Sequence, residues 1–149
     1  MIIVIMPVKN EEWILRRNLA TLSNFCDYII VGLDSCADTS EEICDSFSKV
    51  IKVFIQDGAL NHLKKNRRQL LLERARLISD SAVIIAVDAD EIFSSNILSV
   101  DVLKNINHLK SGSGLSVRFR ELWFSPYLYR GEDSSSWSGR QMPCIWRDN

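Results

Sequence analysis

The stretch Ala82-Val83-Ile84-Ile85-Ala86-Val87-Asp88-Ala89-Asp90-Glu91-Ile92-Phe93 decides how the rest of the chain is read. Its first half is an uninterrupted apolar run rich in β-branched residues, the pattern of a strand buried on both faces. It stops abruptly at Asp88, Asp90 and Glu91. Carboxylates cannot remain buried and unpaired, because desolvating a charge costs too much. They therefore belong at the carboxyl edge of a sheet, in water or on a cation. In extended backbone, residues two apart point to the same side, so Asp88 and Asp90 are expected to face one hard cation, which prefers oxygen ligands. With 11 Asp among 149 residues, roughly one Asp-x-Asp is expected by chance, so the triplet alone is weak. Its place at the mouth of a buried strand, where open α/β sheets bind ligands, is what raises it.

Working outward, the segments before this strand alternate in period. Ile2–Met6 is an apolar run closed by Pro7, and a helix opens at Asn10-Glu11-Glu12, its acidic residues suiting the positive helix start. Trp13, Ile14, Leu19, Leu22 and Phe25 recur at mostly helical spacing. Tyr28–Leu33 reads as a second strand, ending at Asp34 and an oxygen-rich loop through Asp38. Thr39-Ser40-Glu41-Glu42 fits a capping box for a second helix that buries Ile43, Cys44 and Phe47. Val50–Ile55 is a third strand, Gln56-Asp57-Gly58 a turn, and Leu60–Ser79 a long helix with Leu63, Leu70, Leu71, Ala75 and Ile78 as apolar positions.

This order predicts an α/β fold: a Rossmann-like, mostly parallel sheet flanked by helices and joined by right-handed crossovers. Four polar strand exits, at residues 7–12, 34–39, 56–61 and 88–91, then share one edge. Downstream the texture changes. Val100–Leu109 suits a short helix, Ser111-Gly112-Ser113-Gly114 a turn, Leu115–Arg120 an edge strand and Met142–Arg147 a last short strand. Trp123, Tyr127, Tyr129 and Trp137 make the stretch after the edge strand aromatic, a pattern more often of core or edge packing. The last residues thus form a short antiparallel C-terminal extension. A single domain over 1–149 is expected, changing texture after about residue 95, with 96–149 reading as short of a complete domain.

Composition excludes several classes. The chain is 46% hydrophobic and 25% charged, with net charge −1 and pI near 6.1, which is globular and lacks a basic nucleic-acid footprint. No apolar run is long enough to span a bilayer, and the MIIVIMPV start has neither a basic lead nor a cleavage site. Cys26, Cys36, Cys44 and Cys144 form no C-x-x-C pair, and only His62 and His108 are available to help them, so a zinc site is not expected. Reduced thiols in a cytoplasmic protein are expected, with a peripheral position at a membrane left open. Neither glycine-rich phosphate fingerprint occurs, against a dinucleotide enzyme or a P-loop ATPase. A nucleoside diphosphate could still be held by a divalent cation on the carboxylates. The run Lys64-Lys65-Asn66-Arg67-Arg68, near a strand exit, is either a solvated helix face or a source of phosphate contacts.

Four motifs, in order and at matching spacing, resemble a family 2 glycosyltransferase of the GT-A fold. They are Met6-Pro7-Val8-Lys9-Asn10-Glu11-Glu12, then Val31-Gly32-Leu33-Asp34-Ser35-Cys36-Ala37-Asp38-Thr39, then Asn66-Arg67-Arg68 with Leu70-Leu71, and Val87-Asp88-Ala89-Asp90-Glu91. The resemblance covers roughly the first 95 residues and fits a truncated or minimal member. It implies that Pro7, Val8 and Glu11 wrap the nucleoside and Asp34 bonds the base. It further implies that Arg67 or Arg68 lies near the diphosphate, that Asp88 approaches the ribose or metal-bound water, and that Asp90 ligates Mn²⁺ or Mg²⁺. The implied activity is inverting transfer of a sugar from a UDP-, GDP- or dTDP-linked donor to a hydroxyl of a saccharide or lipid-linked acceptor. Leu33, Cys36 and Ala37 depart from the family pattern. Inversion needs a general base, and Glu132-Asp133 is the acidic pair downstream that the resemblance offers for it. Two other readings compete: a metal-dependent phosphatase or nucleotidyltransferase using Asp88, and a non-catalytic nucleotide-sugar-binding fragment.

Overall fold

The computed structural model describes residues 1–55, 64–122, 128, 130 and 141–148, without the side chains of 64–66 and 141–143. Six strands form one sheet: β1 (Ile2–Val8), β2 (Tyr28–Asp34), β3 (Val50–Ile55), β4 (Val83–Ala86), β5 (Gly114–Arg118) and β6 (Gln141–Arg147). Their order across the sheet is β3-β2-β1-β4-β6-β5. The first four are parallel, and β6 joins β4 and β5 antiparallel. The helices are α1 (Glu12–Ser23), α2 (Ser40–Asp45), α3 (Lys64–Arg76) and α4 (Val100–Asn107). The mixed α/β architecture with an antiparallel C-terminal part is the one expected.

Strand alternation sorts the core into two layers. Ile2, Val4, Met6 and Val8 of β1 face α1 and α2 in one cluster, joined by Val83, Ile85 and Ile106 of α4. Ile3, Ile5, Ile30 and Ile84 face the other way, onto Leu71 and Ala75 of α3. Strand β1 is covered on both faces and flanked on both sides, which is why its apolar run is continuous rather than alternating. The chain steps from β1 outward through β2 to β3, then α3 carries it back across the sheet to β4 on the far side of β1. Strand order reverses at β1, and in open α/β sheets ligands bind outside the carboxyl ends at such a switch point.

Gly32 sets how closely α3 sits. A Cβ built at this position would lie 2.9 Å from Ile55 Cδ1 and 3.0 Å from Leu71 Cδ2. Arg67 is one helical turn before Leu71, and Asp34 is two residues after Gly32. Both pairs lie on facing surfaces by the 3.6 and 2.0 periods. The Gly32–Leu71 contact therefore brings the next rung, Asp34 and Arg67, together.

One local expectation is corrected and two others are refined. Thr39 makes no capping bond to its own helix; its N–H and hydroxyl both donate to Glu12 Oε2, at 2.9 and 2.7 Å. Trp13 is not on the buried stripe of α1 but 71% exposed, its Nε1 donating to Glu11 Oε2. The long helix is described from Lys64 to Arg76; the Gln56–Gly58 turn and residues 60–63 lie outside the described residues.

Gly32→Ala should overpack the α3 contact and cost about 1–3 kcal/mol of stability. Urea denaturation checks this; an unchanged midpoint would mean that α3 does not need the missing side chain.

Candidate functional site

The four parallel strands place their carboxyl ends on one edge, with β1 and β2 ending level in register at Val8 and Leu33. Asp34, the last residue of β2, is 1% exposed. Arg67 Nη1 forms a direct ion pair with its Oδ2, and Lys9 Nζ lies 3.5 Å from the same oxygen. Among the described residues neither Asp34 oxygen receives a well-aligned hydrogen bond: the two cations balance its charge without saturating its lone pairs. The carboxylate keeps unused acceptor capacity in a nearly dry setting.

On the other side of β1, Arg68 Nη2 donates to Asp88 Oδ1 at 2.6 Å. Consecutive residues of α3 thus reach two different strand exits, Arg67 to β2 and Arg68 to β4, with β1 between them. This arrangement assembles Asp34, Arg67, Arg68 and Asp88, four of the residues singled out from sequence. Pro7 is half-buried near the end of β1, while Val8 packs its side chain into the core and leaves its backbone carbonyl to accept from the Cys36 thiol.

The carboxylate motif is not extended as expected. Strand β4 ends at Ala86, and Asp88–Glu91 is a tight turn in which the Glu91 N–H donates to the Asp88 carbonyl at 3.1 Å. The Asp88 N–H donates in return to Glu91 Oε2 at 2.9 Å. The strand-period reason for Asp88 and Asp90 sharing a face therefore does not apply. Glu91 is committed to the backbone. Burial raises its pKa, the Asp88 N–H and Arg68 oppose the rise, and the charges of Asp88 and Asp90 add to it. Asp88 and the exposed Asp90 remain as outward carboxylates. Among the described residues no group of three or more His, Cys, Asp or Glu is arranged to hold a metal ion. Asp88 and Asp90 alone could supply one or two carboxylates to a hard cation, whose other ligands would have to come from outside the chain.

The loops after β1 and β2 are bound to each other. Asn10 and Ser35 adopt positive φ, 57° and 47°, conformations that non-glycine residues hold at a cost of roughly 1–3 kcal/mol each. Asn10 Oδ1 accepts from Ala37 N–H at 2.8 Å. The starts of α1 and α2 cap each other: Asp38 Oδ2 accepts from Glu12 N–H, Ser40 Oγ from Glu11 N–H, and Glu12 from Thr39. Burial acts against the Asp38 charge, but hydrogen bonds from Ser40 and the Glu12 backbone outweigh it and hold its pKa below the usual carboxylate value. Burial pushes the Cys26, Cys44 and Cys144 thiols up to about 11, so all three stay protonated at neutral pH.

Two hollows lie at opposite ends of the sheet. One of about 270 Å³ lies at the carboxyl edge, among Leu33, Ser35, Cys36, Glu41, Phe54 and Ile55. The larger, about 510 Å³, is at the opposite end of the strands, beside Met1, Asp27, Tyr28, Ser48 and Lys49. It is far from the paired acids and arginines, so its size gives it no claim to the chemistry. Glu132, Asp133, Trp123, Tyr127, Tyr129 and Trp137 lie outside the described residues. No described helix is long and apolar enough to cross a membrane.

Sequence reasoning missed two contributors. Lys9 was read only as part of a motif, yet it faces Asp34. Asn18, fully buried on α1, was passed over; its signal was a polar residue inside the stripe formed by Leu15, Leu19 and Leu22.

No family model and no curated protein sequence matches the chain. Among solved structures, it is similar to a 4-diphosphocytidyl-2C-methyl-D-erythritol synthase, with a TM-score of 0.61 at 14% identity over 98% of this chain and 74% of that one. A synthase of the same name from Anaerococcus prevotii DSM 20548 gives a TM-score of 0.53 at 14% identity, over 99% of this chain and 70% of that one. A glucosyl-3-phosphoglycerate synthase of M. tuberculosis aligns with a TM-score of 0.48 at 19% identity, over 74% of this chain and 44% of that one. At these identities the first two likenesses establish the fold, and the GT-A/Rossmann-like architecture read from the sequence is the one they share.

Removing Arg67 should leave Asp34 without its main partner in a nearly dry site. Breaking a fully buried pair costs about 3–5 kcal/mol. Arg67 is 28% exposed and Lys9 remains nearby, so Arg67→Ala should cost about 1–3 kcal/mol. Adding Asp34→Asn should recover much of that loss. Denaturation of the single and double variants checks it; a neutral Arg67→Ala would contradict the pairing.

Proposed function

We propose that the chain binds a nucleoside-diphosphate sugar at the carboxyl ends of β1, β2 and β4 and transfers the sugar, with inversion, to an acceptor hydroxyl. One observation carries this reading. Adjacent arginines of α3 are held on two acids either side of the strand at which sheet order reverses, the place where α/β sheets take nucleotides. The motif resemblance over the first 95 residues supports it independently.

Asp34, with acceptor capacity left over, takes an N–H of the base, while Pro7, the Val8 backbone and Glu11 border the nucleoside. The hollow at Leu33 and Phe54 supplies room at the same edge. Arg67 and Arg68 offer planar, multiply donating cations suited to phosphate oxygens. Asp88 and Asp90 would hold Mn²⁺ or Mg²⁺, which when bound offsets diphosphate charge and stabilises its departure. Asp88 then exchanges part of its pairing with Arg68 for the cation, leaving Arg68 available to phosphate. The base that deprotonates the acceptor is assigned to the Glu132-Asp133 segment. An acceptor that is a saccharide or lipid-linked sugar fits the same reading.

Nucleotidyl transfer is the second reading, favoured by the two fold neighbours that span nearly the whole chain. Products separate the two: a nucleoside diphosphate released from a sugar donor belongs to the first, pyrophosphate released from a triphosphate to the second.

With Mn²⁺ present, at least one of UDP, GDP and dTDP should raise the melting temperature. At about 100 times its Kd it adds about 2.7 kcal/mol, or roughly 5–10 °C for a chain of this size. A flat response across the three nucleotides in a natively folded sample would overturn the proposal.

A further inference from the structure

Asn18 sits on α1, on the face of the sheet opposite α3, and is completely buried. Its Nδ2 lies 2.8 Å from the Ala89 carbonyl, 3.1 Å from that of Glu91 and 3.3 Å from that of Asp88. One side-chain amide therefore spans three of the four carbonyls of the Asp88–Glu91 turn. The contacts join segments about seventy residues apart in sequence, so they do not arise from local chain geometry.

The orientation of the amide is settled by its surroundings. Reversed, Oδ1 would face three carbonyl oxygens and be repelled by all of them. As placed, Oδ1 has no hydrogen-bond partner among the described residues and no exposure. A buried acceptor left unsatisfied is unfavourable, so Asn18 is a poor choice for packing α1 against the sheet. An apolar residue of similar size, like Leu15, Leu19 and Leu22 beside it, would fill the space without that penalty. What only the amide supplies is donation to the turn.

The turn needs it. A tight turn at the end of β4 leaves carbonyls that no strand satisfies, and the Glu91 N–H reaches only that of Asp88. Without Asn18 those of Ala89 and Glu91 would seek water, and the turn would be free to open. Asp88 and Asp90 are carried on that turn, so its conformation decides how their oxygens are presented.

We infer that Asn18 is a positioning residue: it fixes the Asp88–Glu91 turn and thereby sets the affinity of the two aspartates for a divalent cation shared with a nucleotide diphosphate. This rests on the cation-assisted nucleotide reading above. Asn18 touches neither nucleotide nor cation; it acts through the backbone of the residues that do. Outer groups that orient metal-binding side chains commonly matter by 10–100-fold in metal affinity.

The test measures binding of whichever of UDP, GDP and dTDP binds the wild-type chain, with and without Mn²⁺, by titration calorimetry. Asn18→Leu and Asn18→Asp are compared with the wild type, the second keeping side-chain size while replacing the donor by an acceptor. The gain in nucleotide affinity brought by Mn²⁺ should fall about 10–100-fold in both variants, with metal-free nucleotide affinity held within about twofold. A purely structural role would instead lower both affinities together, in step with melting temperature, and that result would overturn the inference. So would a Mn²⁺ gain equal to that of the wild type. A wild-type chain that gains nothing from Mn²⁺ would sink the cation reading itself, a different and recognisable failure. Should neither variant fold, hydrogen exchange of the metal-free wild type decides. The Asp88 and Glu91 amides should exchange slowly, like neighbouring strand amides; exchange at open-loop rates would show that Asn18 does not hold the turn.

Discussion

The seat of α3 on the sheet is the contact from which the site follows. Gly32 offers no side chain, Leu71 fills the gap, and the helix comes close enough that the residues one turn earlier reach the strand ends. Because Arg67 and Arg68 are adjacent, they diverge by about 100° around the helix. One bonds Asp34 beyond β2 and the other Asp88 beyond β4. A backbone approach thus becomes a charge pattern: two cations and two anions straddling β1. Interdigitated packing at Gly32 and the electrostatics at Asp34 are successive rungs of the same interface.

The opposite face contributes rigidity. Helix α1 lies on the face opposite α3 and sends Asn18 to the Asp88–Glu91 turn, while its first turn is cross-capped with that of α2 through Asp38, Ser40 and Glu12. Two residues in left-handed backbone, Asn10 and Ser35, complete the loops that border the edge. Strain of this kind persists where surrounding bonds over-determine it, and here the Asn10–Ala37 bond joins the two loops directly.

Much of this could be read before any coordinates. Continuous apolar runs at Ile2–Met6 and Ala82–Val87 named strands covered on both faces, and the alternation of periods gave a parallel sheet with its polar exits on one edge. Asp34, Arg67, Arg68 and Asp88 were legible because charge at the end of a buried run, or on a helix beside one, has few other places to go. Two errors have a common cause. Extended geometry was carried past Ala86 into Asp88–Glu91, and Thr39 was given to its own helix, because a linear pattern does not reveal a competing partner distant in sequence. Asn18 in the first case and Glu12 in the second supplied that partner. Trp13 keeps its place at helical spacing, but spacing alone does not separate the buried stripe from its rim at the first turn. Lys9 was passed over because only the folded sheet shows that the β1 exit faces Asp34.

The account stands on a single location for the nucleotide and its cation, which paramagnetic line broadening by Mn²⁺ reports most directly. In ¹H–¹⁵N spectra recorded with a bound nucleoside diphosphate, substoichiometric Mn²⁺ should broaden the amides of Asp88–Glu91 first, then those of Val8–Glu11 and Asp34. Broadening centred on the opposite end of the sheet, around Met1, Asp27 and Lys49, or spread evenly over the chain, would contradict it.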